Sequence, residues 1–186
     1  MACFHNFEIN EATILTVLMV VFIFSLVKVS GYIDGANLFH AGEDIGLRID
    51  YSKLKSMIEQ KRVLVDLNYY DMSEDRPSER AFFMKLQGFG YNLKIVPLRR
   101  YGSQPVEKKI DTQIVADSLV DAFNRKFDVA VFGSGDKDIL PAVEYLLQMK
   151  KQVEIMSFEH TLAWDLKKSG ARMINLTKIQ NQIRRI

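Results

Sequence analysis

Short apolar runs alternate with amphipathic stretches along the chain from residue 28 to residue 176. The apolar runs predict β-strands, and the stretches with apolar residues three or four positions apart predict helices. Strands are expected at residues 29–33, 62–70, 91–98, 127–133, 152–158 and 171–176. Helices are expected at residues 51–61, 78–90, 111–124, from Asp138 to about 150, and 161–168. This alternation predicts a layered α/β domain with a mainly parallel sheet.

The same pattern assigns two aromatic residues to the interior. In the helix expected at 111–124, the positions that face the core are Ile114, Val115, Leu119 and Phe123. Trp164, at a loop-to-helix turn, is also assigned to the core, with stacking on a nucleobase as the alternative.

The stretch before the domain is different in character. Residues 12–27 form a run of 16 residues without a charge, between Glu11 and Lys28. As a helix the run would measure ~24 Å, which is shorter than the ~30 Å hydrocarbon core of a bilayer. Three interpretations stay open: a membrane anchor that leaves the domain in the cytoplasm, a buried element of the fold, or residues upstream of the natural start. The chain therefore divides into an N-terminal extension, 1–27, and one domain, 28–186.

Composition narrows the kinds of site that the domain can hold. The chain has 186 residues, 48% of them hydrophobic and 26% charged, as in an ordinary globular protein. Cys3 is the only cysteine, which excludes an intramolecular disulfide and a thiolate zinc site. The three histidines show no metal-ligand spacing, and a net charge of +2 identifies no partner. The oligomeric state is left open between a monomer and a homo-oligomer.

Four aspartates fall where predicted strands end or helices begin. Asp34 follows the first strand, Asp136 and Asp138 follow the strand at 127–133, and Asp111 opens a helix. Each of them could cap a helix, but together they lie at the edge of a parallel sheet where ligands bind. Two carboxylates ~5 Å apart repel by about 3 kcal/mol at an effective dielectric constant of 20. Oxygen ligands without histidine or cysteine favour Mg²⁺ or Mn²⁺ as the neutralising ion.

The stretches that carry these aspartates resemble a known family. They are "YIDGANLFHAG" (32–42), "KKIDTQIVADSLVDAF" (108–123), "VFGSGDKDILPAVEYL" (131–146) and "VEIMSFEHTLAWDLKKSGARMINL" (153–176). In content and order they resemble the NYN domain of the LabA-like group, within the PIN-like nuclease superfamily. The resemblance implies a three-layer α/β/α, Rossmann-like fold and cleavage of RNA by metal-assisted hydrolysis of the phosphodiester bond.

The resemblance also implies roles for individual residues. The acids that would hold Mg²⁺ or Mn²⁺ are Asp34, Asp111, Asp136 and Asp138. Asn37 would position water or a phosphate oxygen beside them. Ser134 and Asp117 would support the ligands from behind. The pattern departs from the family at Lys109, which replaces a glycine, at Ile139, which replaces an aromatic residue, and at Arg172, which replaces an acid.

The loop at 98–110 is the expected place for RNA phosphates. It carries Arg99, Arg100, Lys108 and Lys109 and leads directly to Asp111, with Tyr101 available for stacking. A plain solvated connector is the alternative.

Two other functional classes are weighed against a ribonuclease. A non-catalytic RNA-binding module with the same fold stays open, whereas a HAD-type phosphatase is disfavoured because Ala36 stands where its second aspartate is needed.

Overall fold

The computed structural model describes residues 26–98 and 108–185, and at residues 108 and 109 the backbone alone. The strands are β1 (Lys28–Asp34), β2 (Val63–Ser73), β3 (Asn92–Pro97), β4 (Val129–Gly133), β5 (Gln152–Ser157) and β6 (Arg172–Asn175). The helices are α1 (Gly35–Glu43), α2 (Tyr51–Glu59), α3 (Pro77–Gly88), α4 (Lys108–Phe123), α5 (Leu140–Gln148), α6 (Trp164–Lys168) and α7 (Gln180–Ile183). A 3-10 turn, Lys137–Ile139, leads into α5.

The strands form one parallel sheet in the order β3-β2-β1-β4-β5-β6. From β1 the chain moves outward through β2 and β3, and it then returns to the centre and moves the other way from β4 to β6. The direction therefore reverses between β1 and β4. Open parallel sheets bind ligands beyond the carboxyl ends of their strands at such a reversal.

Helices cover both faces of the sheet. Val29 and Ile33 of β1 point to the face covered by α1, α2, α3 and α7. Tyr32 of the same strand points to the opposite face, which α4, α5 and α6 cover. This alternation is the two-residue period of a strand buried on both sides. The predicted three-layer α/β/α arrangement with a parallel sheet is confirmed.

One helix beside the site was not expected from the sequence. Helix α1 follows β1 without a loop and contains two glycines, which lower helix propensity. Tertiary contacts hold it in place. Asp34 caps its first turn, and Leu38 and Ala41 are buried in the core. A Cβ atom at Gly35 would collide with the Tyr69 hydroxyl, so the helix begins against the sheet only with glycine there.

The assignment of two aromatic residues to the core is wrong. Phe123 is 80% exposed and Trp164 is 65% exposed. The buried face of α4 instead repeats every four residues, at Ile110, Ile114, Ser118 and Ala122. This spacing turns Phe123 towards solvent. Trp164 opens α6, and the Lys168 ammonium lies 4.8 Å from the centre of its ring.

Only the last two residues of the apolar run 12–27 belong to the described part of the chain. There Val27 precedes β1 and is partly exposed. Among the described residues, no helix combines the length and the apolar character that crossing a bilayer requires. The three interpretations of residues 12–27 concern a segment outside the description.

Candidate active site

Two loops meet at the carboxyl ends of β1 and β4. The Ser134 hydroxyl donates a hydrogen bond to Oδ2 of Asp34 at 3.4 Å, and the Gly135 N–H donates to Oδ1 of Asn37 at 3.0 Å. Ser134 Oγ also accepts from the Asp136 N–H at 3.2 Å. These bonds place Asp34 and the loop after β4 side by side, as the sequence predicts.

Asp34 is the most buried of the predicted acids. It is 6% exposed, and burial raises the pKa of its carboxyl group to about 7, with the charges of Asp111 and Asp71 adding to the effect. Hydrogen bonds from the Asn37 N–H, at 3.0 Å, and from Ser134 oppose the increase. Within the described residues, no lysine or arginine forms an ion pair with Asp34. Its ionised form therefore has no cationic partner among the described residues.

Asp136 and Asp138 have different surroundings despite their spacing. Oδ1 of the half-buried Asp136 accepts a hydrogen bond from the Asp138 N–H at 2.9 Å, so Asp136 caps the 3-10 turn. Asp138 is exposed within that turn. Capping thus occupies one oxygen of Asp136 and none of the Asp138 carboxylate.

Asp111 and Asp138 line a common cleft of about 500 Å³. Asp111 lies in the first turn of α4, and the cleft also contacts Lys137 and Asp165. Asp165 is an acid that the sequence analysis did not single out. The signal for it was available, because it opens a helix that follows β5 and so lies at the same edge of the sheet.

A second acid that the sequence analysis missed lies on the opposite side of Asp34. Asp71, near the end of β2, accepts hydrogen bonds from the Tyr69 hydroxyl at 3.1 Å and from the Met72 N–H at 2.8 Å. Burial raises the pKa of its carboxyl group. Its position after the run "LNYY" could have identified it as an acid near the carboxyl end of a strand.

Asp117 contacts the sheet. Its Oδ2 accepts a hydrogen bond from the buried Tyr70 hydroxyl at 2.9 Å, and Asp121 makes the equivalent contact with Tyr32 at 2.9 Å. Both aspartates therefore pair with tyrosines of the central strands. The support of a metal ligand by Asp117 stays a prediction.

The four basic residues predicted to bind RNA phosphates are outside the description. Arg99 and Arg100 follow β3 beyond Leu98, where the described residues stop, and at Lys108 and Lys109 only the backbone of α4 is described. Their role also stays a prediction.

The acids offer the oxygen atoms that a hard divalent cation prefers as ligands. The distances between them, however, are longer than in an assembled metal site. Across residues 26–98 and 108–185, no three Asp, Glu, His or Cys side chains are close enough together to hold a metal ion. The buried carboxylate of Asp34 nevertheless has no lysine or arginine partner in the part of the chain that the structure describes, and the charge of Asp111 adds to the increase in its pKa. Carboxylate oxygens are the ligands that Mg²⁺ and Mn²⁺ prefer. The donor chemistry of the residues present therefore fits such an ion.

Comparison with known proteins agrees with this fold and this arrangement of motifs. A curated relative, the low amplitude and bright protein LabA of Synechococcus elongatus, is 26% identical over 162 residues, which cover 82% of this chain and 85% of LabA. A crystal structure of a Vibrio parahaemolyticus protein of unknown function has the same fold, with a TM-score of 0.74 at 18% identity. It covers 86% of this chain, and 97% of the Vibrio chain is matched. The NYN domain matches residues 28–177. This chain therefore belongs to the NYN domain family, within the PIN-like nuclease superfamily.

Proposed function

We propose that this protein is a ribonuclease that depends on Mg²⁺ or Mn²⁺ and hydrolyses RNA phosphodiester bonds. The observation that carries the proposal is the buried Asp34 carboxylate at the reversal of the sheet, which has acids on both sides and no lysine or arginine partner among the described residues. Such a carboxylate is costly to ionise unless a cation accompanies it. The NYN family supports a nuclease as the class of enzyme.

In this proposal Asp34 and Asp136 hold the ion, and Asp111 and Asp138 complete the site from their common cleft. The chemistry that Mg²⁺ or Mn²⁺ supplies when bound is polarisation of a phosphoryl oxygen and activation of water for attack.

The neighbouring polar residues position the acids. Ser134 donates to the Asp34 carboxylate and accepts from the Asp136 N–H, so its single hydroxyl links Asp34 to the backbone of Asp136. Asn37 uses its carbonyl oxygen to hold the loop at Gly135. Its amide group is the donor that would orient a phosphate oxygen of the RNA. The basic residues between Leu98 and Asp111 would bind the flanking phosphates.

Metal-dependent cleavage of an unstructured RNA tests the proposal. Purified protein should cleave in the presence of Mg²⁺ or Mn²⁺, stop when EDTA is added, and resume when the metal is restored in excess. The Asp136→Asn variant, purified in the same way, identifies any contaminating nuclease. Cleavage that survives EDTA, or that is equal in the variant, would show that the proposal is wrong.

A second candidate function is a non-catalytic RNA-binding module. The observation that favours it is the separation of the acids, since no three acidic, His or Cys side chains of the described residues are gathered for a metal ion. Such a module would bind RNA with equal affinity in EDTA and in Mg²⁺ and would leave the RNA intact after prolonged incubation with either metal. The cleavage experiment therefore distinguishes the two functions.

A further inference from the structure

A wide groove lies beside the site, between α1, the end of β2 and α3. We name it the aromatic groove. Its volume is about 1040 Å³, slightly above the upper limit of ~1,000 Å³ that is usual for ligand pockets in proteins. The residues that characterise its wall and floor are Phe39, Tyr69, Met72, Phe82 and Phe83. The activity proposed above uses none of these side chains.

The aromatic groove starts at the candidate active site. Ala36 and Asp71 line it, and Asp34 immediately precedes the helix that carries Ala36. Phe39 lies on the same helix, five residues after Asp34, which corresponds to ~7.5 Å along the helix axis. A ligand in the groove would thus lie about one nucleotide length from the buried acid.

The aromatic residues of the groove differ in exposure. Tyr69, Phe82 and Phe83 pack against one another, with ring centres 6.1 Å apart for Tyr69 and Phe82 and 5.7 Å apart for the two phenylalanines. They form a fixed floor. Phe39 is 50% exposed, and its ring contacts His40 edge to face at 5.4 Å. A flat apolar surface therefore faces the open groove.

Three arginines line the groove together with four acids, which are Glu43, Asp71, Glu74 and Glu79. Arg48 and Arg185 line it, and the Arg185 N–H donates to the Arg48 carbonyl at 2.8 Å, which keeps the two residues adjacent. Both are exposed, and neither forms an ion pair within the described residues. Arg76, also in the wall, is by contrast paired with Glu74 at 2.6 Å. Glu79 also lies 3.7 Å from Arg76, and Glu43 lies 3.6 Å from His40, so Arg48 and Arg185 are the arginines of the groove without an acid partner among the described residues.

We propose that the aromatic groove binds an unpaired nucleobase of the RNA strand, with the base stacked on Phe39 and its phosphate near Arg48 and Arg185. An apolar floor, an exposed ring and an adjacent pair of cations together match the flat base and the anionic backbone of a nucleotide. Bases stack on side chains in this way when they are released from a helix, so the groove is expected to distinguish an unpaired base from a paired one. The inference rests on the proposed function for the position of the strand.

Binding measured without cleavage tests the inference. In the Asp136→Asn background with Mg²⁺ present, dissociation constants are measured for a short single-stranded RNA and for a blunt duplex. Phe39→Ala should weaken binding of the single strand by at least about fivefold, because stacking on one side chain contributes that much or more. Phe39→Tyr should bind as the parent does, and Phe39→Leu, which keeps apolar volume without a ring, should resemble the alanine variant.

Phe123→Ala is the matched control. Phe123 is a more exposed phenylalanine, at the far end of α4, and its removal should change neither dissociation constant. Equal binding by Phe39→Ala and the parent, or equal losses for single strand and duplex, would overturn the inference.

The outcome for the groove is separable from the outcome for catalysis. If the parent cleaves RNA with Mg²⁺ and Phe39→Ala binds the single strand normally, the groove inference alone is wrong. If the Phe39 variants behave as expected but the parent never cleaves, the groove inference stands and the nuclease proposal is wrong. If the protein binds no RNA at all, both are overturned.

Discussion

Buried acids have different partners at the two edges of the sheet. Towards the amino ends of the strands, Glu154 is 5% exposed and lies 3.0 Å from Arg62 and 3.0 Å from Arg172. Asp121, also buried on that side, is 2.7 Å from the Lys126 ammonium. At the carboxyl ends, Asp34 is equally buried, but within the described residues it receives hydrogen bonds from uncharged groups alone.

The difference indicates what each acid is for. A buried carboxylate requires compensation for its lost hydration, and removing its partner is strongly destabilising. Where the domain supplies the cation, as it does for Glu154, the acid belongs to the structure. Where the described residues supply none, as for Asp34, we expect a bound cation to compensate the charge, and that edge of the sheet is where we propose a functional metal.

The largest effect should follow from removing one charge at the carboxyl edge. Asp136→Asn keeps a capping oxygen for the 3-10 turn and deletes a proposed metal ligand. We expect the rate of Mg²⁺-dependent RNA cleavage to fall by orders of magnitude, while the free energy of unfolding without metal stays within about 1 kcal/mol of the parent's. Asp75→Asn, at an exposed acid paired with Arg80, is the control and should cleave normally. Normal cleavage by the Asp136 variant would contradict the proposed functional role of the acids at the carboxyl edge.

The opposite edge should respond through stability. Glu154→Gln leaves the largely buried Arg62 without a counter-charge, so we expect the free energy of unfolding to fall by about 3 kcal/mol in urea titrations. Activity per folded molecule should not change. The combined variant Arg62→Met with Glu154→Leu should recover part of the loss, because an apolar pair carries no unpaired charge. A Glu154→Gln variant as stable as the parent would contradict a structural role for this acid.

A pH titration of stability should distinguish Asp34 from the paired acids. The pKa of Asp34 in the folded chain is about 7, above its ordinary value of 3.8, so the metal-free folded protein keeps a proton that the unfolded chain releases. Stability from that proton is complete below about pH 4 and is lost as the pH rises through 7.

Asp34→Asn cannot ionise and still offers a capping oxygen. In EDTA it should therefore match the parent near pH 4 and exceed the parent's free energy of unfolding by about 2–4 kcal/mol at pH 8. Urea titrations at both pH values measure this, and added Mg²⁺ should narrow the gap at pH 8. A difference that is the same at both pH values would argue against a raised pKa.

Neutralising the basic loop should change RNA binding by a smaller factor. Replacing Arg99, Arg100, Lys108 and Lys109 with glutamine is expected to weaken RNA binding about tenfold and to flatten its dependence on salt, because fewer counterions are released. Replacing Lys150 and Lys151 at the amino edge with glutamine is the control. It shows whether RNA binding depends on where the positive charges lie or only on their number. If the two sets of substitutions have equal effects, the loop is not a specific phosphate site.

The mildest test leaves the sequence unchanged. We propose that residues 12–27 anchor the full chain to a membrane, with Lys28 and the rest of the domain on the cytoplasmic side. The anchor would then approach the domain at the amino edge, because β1 begins at Lys28, and the acidic edge would face away from the bilayer. Carbonate extraction of a membrane fraction should leave the protein in the pellet. Complete release into the supernatant would refute the anchor.

The sequence predicted the strands and the acids at the carboxyl edge of the sheet better than it predicted helix α1 and the surfaces beside the site. Strand positions and the placement of Asp34 and Asp136 follow from local periodicity and chain order, and both are found. Helix α1 was missed because it depends on Gly35 fitting under Tyr69, a contact between strands and helices far apart in the chain.

The aromatic groove has the same origin. Phe39, Phe82 and Arg185 come from three distant segments, and no local pattern relates them. The exposure of Phe123 was misjudged because helical spacing alone does not fix which side of α4 meets the sheet. Local sequence thus identified which residues carry charge at an edge, whereas packing determined the surfaces beside them.

The bonds that join the two loops of the site have a consequence for the protein during its synthesis. Ser134 lies 100 residues from Asp34, and Gly135 lies 98 residues from Asn37. The acids are therefore brought together only after β4 has left the ribosome and inserted beside β1, a late step for contacts so distant in the chain. A nascent chain with the proposed RNA-cleaving activity emerges next to ribosomal RNA. This order of assembly would prevent the growing polypeptide from cleaving the RNA of the ribosome that synthesises it.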